Sequence, residues 1–223
     1  SSSSSIPPQL IEQIEQLFNA PLVESYGMTE ACHQMAANPL PPAKRKPGTV
    51  GQAAGPEIRI LGEDGSFLAH GEAGEIVIRG PNVTPGYENN DKANADAFVD
   101  GWFRTGDQGM LDSEGYLSIT GRLKEIINRG GEKISPREID DILMDHPAVG
   151  QVVCFGIPHD KLGEEVGAAV VLREGVAATE KELREYVATR VADFKVPRKI
   201  LLLEEIPKGA TGKLLRIGMA QKL

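Results

Sequence analysis

The sequence predicts a protein of mixed α/β and α+β class, in which antiparallel strands precede a smaller domain of helices packed on a sheet. The first observation is an alternation of period two, which is typical of antiparallel strands with one buried face. It is carried by Ile58, Ile60, Ile76 and Ile78. The second is a pair of capping-box patterns, at residues 135–138 and 179–182, which mark helix starts. The change of pattern places a domain boundary at residues 122–124.

The first region is expected to begin with a helix and a strand. Pro8 opens a helical pattern whose apolar residues share one stripe, namely Leu10, Ile11, Ile14, Leu17 and Phe18. Residues 21–25 are predicted to form a strand, and prolines and glycines predict a loop over residues 39–55. A turn at residues 112–115 joins two further strands, and the small antiparallel subdomain is expected to end near Gly121.

The second region is expected to alternate helices and strands. Pro136 occupies the first position of one helix. The two helices carry apolar stripes, formed by Ile139, Ile142 and Leu143 and by Leu183, Tyr186, Val187 and Val191. Apolar runs predict strands around residues 149–157, 165–172 and 199–203, which supply the sheet that the helices cover.

Composition excludes several classes of function. The formal net charge of −8 over 223 residues argues against a general nucleic-acid or anionic-membrane surface, so an anionic substrate must be held by individually placed residues. Cys32 and Cys154 lie far apart and form no metal or disulfide pattern. No apolar run approaches the ~20 residues of a membrane span.

Four segments carry the functional signal. They read YGMTE at 26–30, RTGD at 104–107, GRLKEIINRGGEKISPREID at 121–140 and PKGATGK at 207–213. Together and in this order, they resemble the second half of the adenylate-forming superfamily of acyl-CoA synthetases, peptide-synthetase adenylation domains and luciferases.

The resemblance implies a domain organisation. Residues 1–121 would be the C-terminal part of the large AMP-binding domain, including the antiparallel β subdomain. Residues 122–124 would be a hinge, and residues 125–223 the small, mobile α+β C-terminal domain. The family's serine-, threonine- and glycine-rich phosphate loop and most of its large domain would then lie upstream of Ser1. We therefore expect this chain alone to be inactive.

Attack of a carboxylate on the α-phosphate of ATP requires cations where charge develops. The resemblance gives this electrostatic role to Lys213, in a loop made tight by Gly209 and Gly212. The loop is not a Walker A motif, because Leu214 stands where Ser or Thr would hold magnesium.

The other nucleotide-binding residues follow from the same resemblance. Glu30 would be the magnesium ligand, and the Thr29 hydroxyl would contact a phosphate oxygen. Tyr26 would offer its flat face to adenine, the alternative being a core tyrosine beside a plain turn. The Asp107 carboxylate would accept hydrogen bonds from both ribose hydroxyls, although an aspartate after glycine is also a common turn residue. Arg122 would bind the ribose or the phosphates.

Transfer of the acyl group to CoA requires a second arrangement of the site. In the family the small domain rotates about a hinge, whose position Lys124 occupies here. Rotation would bring in residues 128–133, where Gly130 and Gly131 would let pantetheine pass close to the backbone. The alternative for the paired glycines is a flexible turn, and both interpretations can hold together. Basic residues at 44–46 could meet the CoA 3′-phosphate, but a solvated loop is favoured.

The acid is indicated by the string TEACHQMAANPLPP at residues 29–42, which resembles oxalate-CoA ligases. A small dicarboxylate keeps one charge after adenylation, so its pocket should contain fixed donors. His33 and Ser3 align with that group's acyl-pocket histidine and serine.

The sequence therefore predicts an ATP-, Mg²⁺- and CoA-dependent carboxylate-CoA ligase, most like oxalate-CoA ligase, without a redox cofactor. The alternatives are another acid-thiol ligase for aromatic or fatty acids, a carrier-loading adenylation domain, a luciferase-like oxidase, and an inert nucleotide-binding fragment. We expect a cytoplasmic protein. A peroxisomal location is the alternative, since the final QKL differs from the SKL signal at Gln221.

Overall fold

The computed structural model describes residues 1–2, 6, 8–209, 212 and 214–222. The chain divides into two compact units, Ser1–Thr120 and Gly121–Leu223. Within the described ranges, no helix is long and apolar enough to cross a membrane.

The first unit contains two antiparallel sheets. Its helices are α1 (Pro8–Phe18) and α2 (Asp91–Ala97), and its strands are β1 (Ser25–Met28), β2 (His33–Ala37), β3 (Gln52–Ala53), β4 (Glu57–Leu61), β5 (Gly74–Arg79), β6 (Phe98–Val99), β7 (Trp102–Leu111) and β8 (Leu117–Arg122). One sheet has the order β1-β2-β3, and the other has the order β4-β5-β7-β6 with β8 also paired to β7. Strand β8 runs across the division between the units.

The isoleucine alternation correctly predicted the centre of the second sheet. Ile58 pairs with Ile78 and Ile60 with Ile76 across β4 and β5. Ile60, Ile76 and Ile78 are buried in a core with Phe103 of β7. Burial of one sheet face stabilises the pairing, because a slip of one residue would turn this face to solvent.

Two local predictions in the first unit were wrong, and the helix predicted from Pro8 forms with a largely exposed apolar stripe. The strand expected at residues 21–25 begins only at Ser25, and residues 52–53 inside the predicted loop form a short strand. The stripe of α1 is buried only at Ile11 and partly at Ile14, while Leu17 and Phe18 are exposed. Helical periodicity places residues on one face but does not determine what covers that face.

The second unit is an α+β domain. It consists of strands β9 (Ile127–Arg129), β10 (Glu132–Ile134), β11 (Val149–His159), β12 (Gly163–Leu172) and β13 (Lys199–Leu202) and helices α3 (Pro136–Met144) and α4 (Glu180–Ala188). The sheet order is β10-β9-β12-β11, and β13 pairs with β12 in parallel. Ile139 and Leu143 of α3 and Leu183 and Val187 of α4 are buried against this sheet.

One of the two predicted capping boxes forms. The Thr179 side chain accepts the Glu182 N–H, and the Glu182 carboxylate accepts the Thr179 N–H in return. Ser135 is the N-cap of α3, but its side chain makes no capping hydrogen bond. Glu138, its expected partner, instead pairs with Lys195 Nζ at 2.7 and 2.8 Å. A tertiary ion pair has replaced the local motif.

Candidate functional site

The segment at residues 26–30 ends strand β1 and forms a single 3₁₀ turn. Gly27 is required there, because a Cβ would lie 1.5 Å from the carbonyl oxygen of His33 on β2. The turn spans Thr29–Ala31, with Thr29 exposed and Glu30 half-buried. Thr29 therefore lies on the exposed side of this turn.

Tyr26 and Asp107 are brought together by the fold. The Tyr26 hydroxyl donates to Asp107 Oδ2 at 2.6 Å, although 81 positions separate the two residues. Tyr26 is 9% exposed and Asp107 is 5% exposed, and the tyrosine ring packs in the core beside Met35. The contact joins the first two of the four segments in one place. The stacking of Tyr26 on adenine stays a prediction.

The turn that carries Asp107 is an irregularity in strand β7. Gly106 has a positive φ of 72°, which favours glycine. The Thr105 hydroxyl donates to the Ile76 carbonyl at 2.7 Å and accepts the Asp107 N–H at 3.1 Å. The buried Glu75 on β5 also binds this turn. Sequence reasoning missed Glu75, although a carboxylate at the start of the apolar run GEIVI was a visible signal.

Glu30 has a phenolic partner that sequence reasoning also missed. The Tyr87 hydroxyl donates to Glu30 Oε1 at 2.9 Å. Burial, and then this bond to the carboxylate, raise the pKa of Tyr87 above its ordinary value. The Thr84 N–H donates to the Glu30 carbonyl at 2.7 Å, so both the backbone and the side chain of Glu30 are held.

A half-buried carboxylate is a suitable hard ligand for Mg²⁺. No cluster of three or more His, Cys, Asp or Glu side chains that could hold a metal occurs among the described residues. Glu30 could supply one such oxygen, and Mg²⁺ in proteins usually keeps several waters and is bound by one or two carboxylates together with substrate phosphates.

The candidate acyl residue His33 is exposed at the start of β2. It follows Cys32, and both residues have left-handed backbone, with φ of 80° and 50°. Asn82 Nδ2 holds this turn by donating to the carbonyls of Ala31 at 3.0 Å and Gln34 at 3.3 Å. Ser3, the other acyl candidate, lies outside the described residues.

Four candidate residues of the second unit lie near its start. Arg122 is exposed at the end of β8, and Lys124 is exposed in a 3₁₀ turn at Leu123–Glu125. Gly130 and Gly131 form the two-residue connection between β9 and β10, with φ of 60° and 96°. Positive φ at both positions is what a tight hairpin of this kind requires. The glycines are thus a defined turn.

Lys213 lies outside the described residues, but the chain on either side of it is anchored. Lys208 and Leu214 form an antiparallel bridge, and the Leu215 N–H donates to the Pro207 carbonyl at 2.8 Å. Beyond the bridge, the half-buried Arg216 donates to three groups. They are Asp140 Oδ2 at 2.7 Å, Glu125 Oε2 at 2.8 Å and the Cys154 carbonyl.

The Arg216 cluster contains the buried cysteine. Burial raises the pKa of Asp140, while the charge of Arg216 opposes that rise. Burial, and then Asp140, raise the pKa of Cys154 well above its ordinary value. Because a thiolate is the reactive form, Cys154 is a structural thiol.

The basic residues at 44–46 lie in a largely exposed loop, but two of them are half-buried in ion pairs. Lys46 forms ion pairs with Asp112 and Glu114, and Arg45 pairs with Glu15. Lys44 remains largely exposed and approaches Glu114 at 3.4 Å. The loop is therefore fastened to the turn between β7 and β8 by carboxylates that composition alone could not assign.

Comparisons with known proteins identify the family. A model described as AMP-binding enzyme matches residues 1–88, and a model described as AMP-binding enzyme C-terminal domain matches residues 138–213. The chain is 50% identical to an oxalate–CoA ligase of Saccharomyces cerevisiae over 223 residues, which are 99% of this chain and 41% of that protein. It is 48% identical to an oxalate–CoA ligase of Arabidopsis thaliana over 222 residues, 99% of this chain and 43% of that one.

More distant relatives differ in their acids. A sulfoacetate–CoA ligase of Cupriavidus necator is 38% identical, over 97% of this chain and 43% of that protein. An indoleacetate–CoA ligase of Aromatoleum aromaticum is 40% identical, over 98% of this chain and 43% of that protein. A long-chain-fatty-acid–CoA ligase of Mycobacterium tuberculosis is 39% identical, over 94% of this chain and 41% of that protein. The chain thus spans about two fifths of the curated relatives that it matches.

Solved structures show the same fold. ATP-bound MatB from Rhodopseudomonas palustris has a TM-score of 0.92 at 31% identity, with 100% of this chain and 44% of that one covered. The o-succinylbenzoate CoA synthetase of Bacillus subtilis in complex with ATP and magnesium has a TM-score of 0.86 at 36% identity, covering 97% and 45%. With both family models matched in order and this fold, the chain belongs to the adenylate-forming, AMP-binding enzyme family.

Proposed function

We propose that this chain is part of an ATP-dependent carboxylate–CoA ligase whose acid is oxalate. The observation that carries the proposal is the hydrogen bond between Tyr26 and Asp107, which joins two nucleotide-binding segments beside the turn of Thr29 and Glu30. The oxalate assignment draws on two oxalate–CoA ligases that are 50% and 48% identical to the chain.

In the first half-reaction, a carboxylate oxygen of the acid attacks the α-phosphorus of ATP. A new P–O bond forms as pyrophosphate leaves, and the product is the acyl-adenylate. Asp107 binds the ribose hydroxyls, and Arg122 binds the ribose or the phosphates. The Thr29 hydroxyl contacts a phosphate oxygen, and Lys213 stabilises the charge that develops around the α-phosphate.

Glu30 would hold the magnesium ion, which when bound neutralises charge on the triphosphate. Tyr87 keeps the Glu30 carboxylate in place by donating its hydroxyl hydrogen. Because this hydrogen bond uses one acceptor site of a carboxylate that offers about four, Glu30 can serve both partners.

In the second half-reaction, the CoA sulfur attacks the acyl carbon. A thioester bond forms, and AMP leaves with the electrons of the broken acyl–phosphate bond. We assign the hinge for this step to Lys124 and the passage of pantetheine to the Gly130–Gly131 turn. A side chain at Gly131 would meet no neighbouring atom within 4 Å, so that turn has open space beside it.

His33 and Ser3 are proposed to bind the carboxylate of oxalate that does not react. The His33 side chain is exposed on the turn that follows Glu30, so it is accessible to a small acid. We propose that the protein is located in the cytoplasm, and the peroxisome is the alternative.

The complete gene product that carries this sequence is the material for the test. Thioester formation is measured with oxalate, malonate, acetate, coumarate and a long-chain fatty acid, each with ATP, Mg²⁺ and CoA. We expect oxalate to give the highest kcat/KM. In His33→Ala the KM for oxalate should rise about ten- to a hundred-fold, the effect of one hydrogen bond to a charged group, while the KM for ATP stays unchanged.

Preference for an aromatic or fatty acid would contradict oxalate and leave the ligase assignment intact. Absence of both ATP–pyrophosphate exchange and thioester formation with every acid would contradict the ligase assignment and favour a nucleotide-binding fragment.

A further inference from the structure

Strand β7 carries two extra residues where it passes the middle of β5. Glu75 pairs with Gln108, but two positions further along Val77 pairs with Arg104. Residues 105–107 therefore lie opposite the single residue Ile76. A bulge of this kind re-aims side chains, and bulges are frequent beside active sites. Here it comprises the segment that contains Asp107.

The buried carboxylate of Glu75 binds the residue that precedes this bulge and the middle residue of the bulge. Its Oε2 accepts from Arg104 Nε at 2.9 Å and from Arg104 Nη2 at 2.7 Å. Its Oε1 accepts the backbone N–H of Gly106 at 3.1 Å. The side chain of Glu75 is 8% exposed, whereas that of Arg104 is 45% exposed.

These contacts compensate for the cross-strand hydrogen bonds that the bulge removes from the pairing of β5 with β7. An N–H in a bulge has no cross-strand carbonyl, and leaving such a donor buried without a partner is unfavourable. Glu75 supplies the missing acceptor at Gly106, and Arg104 supplies the opposite charge that a buried carboxylate requires. The next residue is Asp107, whose carboxylate meets the Tyr26 hydroxyl at 2.6 Å. Glu75 thus controls the backbone immediately before Asp107.

We propose that Glu75 is a positioning residue for the ribose of the nucleotide: it holds the bulge that presents Asp107. This inference rests on the proposed function, because it takes Asp107 as the ribose ligand. Glu75 itself acts through Gly106 and Arg104 and need not touch the nucleotide.

The test compares the binding of ATP and 2′-deoxy-ATP to the complete gene product by calorimetry, without acid or CoA. The variants are Glu75→Ala, which removes both contacts, and Glu75→Gln, which keeps an acceptor for the Gly106 N–H. Glu57→Gln is the matched control, because Glu57 forms an exposed ion pair with Arg79 in the same sheet.

We expect the wild type to prefer ATP, and Glu75→Ala to reduce that preference about ten-fold, the worth of one hydrogen bond to a charged group. Glu75→Gln should fall between the two, and Glu57→Gln should match the wild type. In turnover assays, the KM for ATP should rise in Glu75→Ala, while the KM values for acid and CoA stay within about two-fold.

Several outcomes contradict the inference. One is an unchanged ATP preference in Glu75→Ala, and another is a loss that Glu57→Gln reproduces. If both Glu75 variants fail to fold, Arg104→Gln is the variant to measure, and an unchanged preference there overturns the inference. A wild type that binds both nucleotides equally contradicts the ribose role of Asp107 as well. A wild type that binds neither contradicts the proposed function itself.

Discussion

At the scale of single residues, the candidate nucleotide site depends on buried polar groups that satisfy one another. Asp107 is a buried carboxylate, and a carboxylate is retained in such a place only when donors surround it. Tyr26 supplies one donor from β1, and the Thr105 hydroxyl holds the Asp107 N–H. The same carboxylate is therefore a structural partner of the core and the proposed ligand of ribose.

Tyr26→Phe is expected to weaken nucleotide binding while it preserves the core. The change removes the hydroxyl that donates to Asp107 but keeps the ring that packs beside Met35. Loss of a donor to a buried charged group costs about 1–3 kcal/mol. We expect the KM for ATP to rise about ten-fold and the melting temperature to fall.

The matched control is Tyr116→Phe, because the Tyr116 hydroxyl donates to the Lys44 carbonyl in the same unit. It should lower the melting temperature without changing the KM for ATP. Equal KM values in Tyr26→Phe and wild type would show that the hydroxyl has no role in presenting Asp107.

At the scale of elements, ion pairs connect the loop between β2 and β3 to the turn between β7 and β8. Lys46 contacts Asp112 and Glu114, and its ammonium lies 4.3 Å from the centre of the Tyr116 ring. Asp112 also accepts the backbone N–H groups of Glu114 and Tyr116, both at 2.9 Å. One carboxylate thus closes a turn and fastens a loop.

This arrangement predicts a specific acid sensitivity. The hydrogen bond from Lys46, followed by those from the backbone, lowers the pKa of Asp112 to about 2. The unfolded chain, in which an aspartate has a pKa of about 3.9, then binds more protons than the folded chain between these two values. The contribution of Asp112 to stability is present above that window and is lost as pH falls through it.

Asp112→Asn tests the charge alone, since the amide oxygen can still accept the two N–H groups. We expect the free energy of unfolding of the variant to vary less with pH between about 4 and 2 than that of the wild type. Urea unfolding at several pH values measures this. The control is Asp96→Asn on the exposed face of α2, which should follow the wild type. Parallel curves for Asp112→Asn and wild type would contradict the prediction.

At the scale of the whole molecule, the chain consists of two compact units, and the division falls at Thr120–Gly121. Lys124 follows within four residues, in a 3₁₀ turn with an exposed side chain. Glu125, its neighbour, pairs with Arg216, which is itself three residues beyond Lys213. In the second unit, the chain after the proposed hinge is therefore tied to the chain after the proposed catalytic lysine.

Lys124→Pro and Lys213→Ala should separate the two half-reactions. Proline fixes φ and restricts the preceding residue, so Lys124→Pro should impair thioester formation and spare ATP–pyrophosphate exchange. Lys213→Ala should reduce exchange by about a hundred-fold or more, as expected for loss of one electrostatic contact to the transition state. It should spare thioester formation from a supplied acyl-adenylate.

Both half-reactions are measured in the complete gene product, and Lys181→Ala, an exposed lysine of α4, is the control for charge removal in this unit. Equal losses in both half-reactions for Lys213→Ala would contradict its role. Loss of exchange alone in Lys124→Pro would contradict the hinge.

The sequence by itself determined the family, strands β4 and β5 of the first unit, strands β11, β12 and β13 of the second unit, and the Thr179 capping box. These features depend on the order of short motifs, on alternation, or on contacts within four residues, so they can be read along the chain. The tertiary structure alone decided that Tyr26 meets Asp107, that Tyr87 holds Glu30 and that Glu75 binds the Asp107 turn. It also directed Glu138 to Lys195, 57 positions away, instead of to Ser135. The reason is physical: a buried polar group takes whichever partner the packed strands bring within hydrogen-bonding distance, and no local pattern specifies that partner.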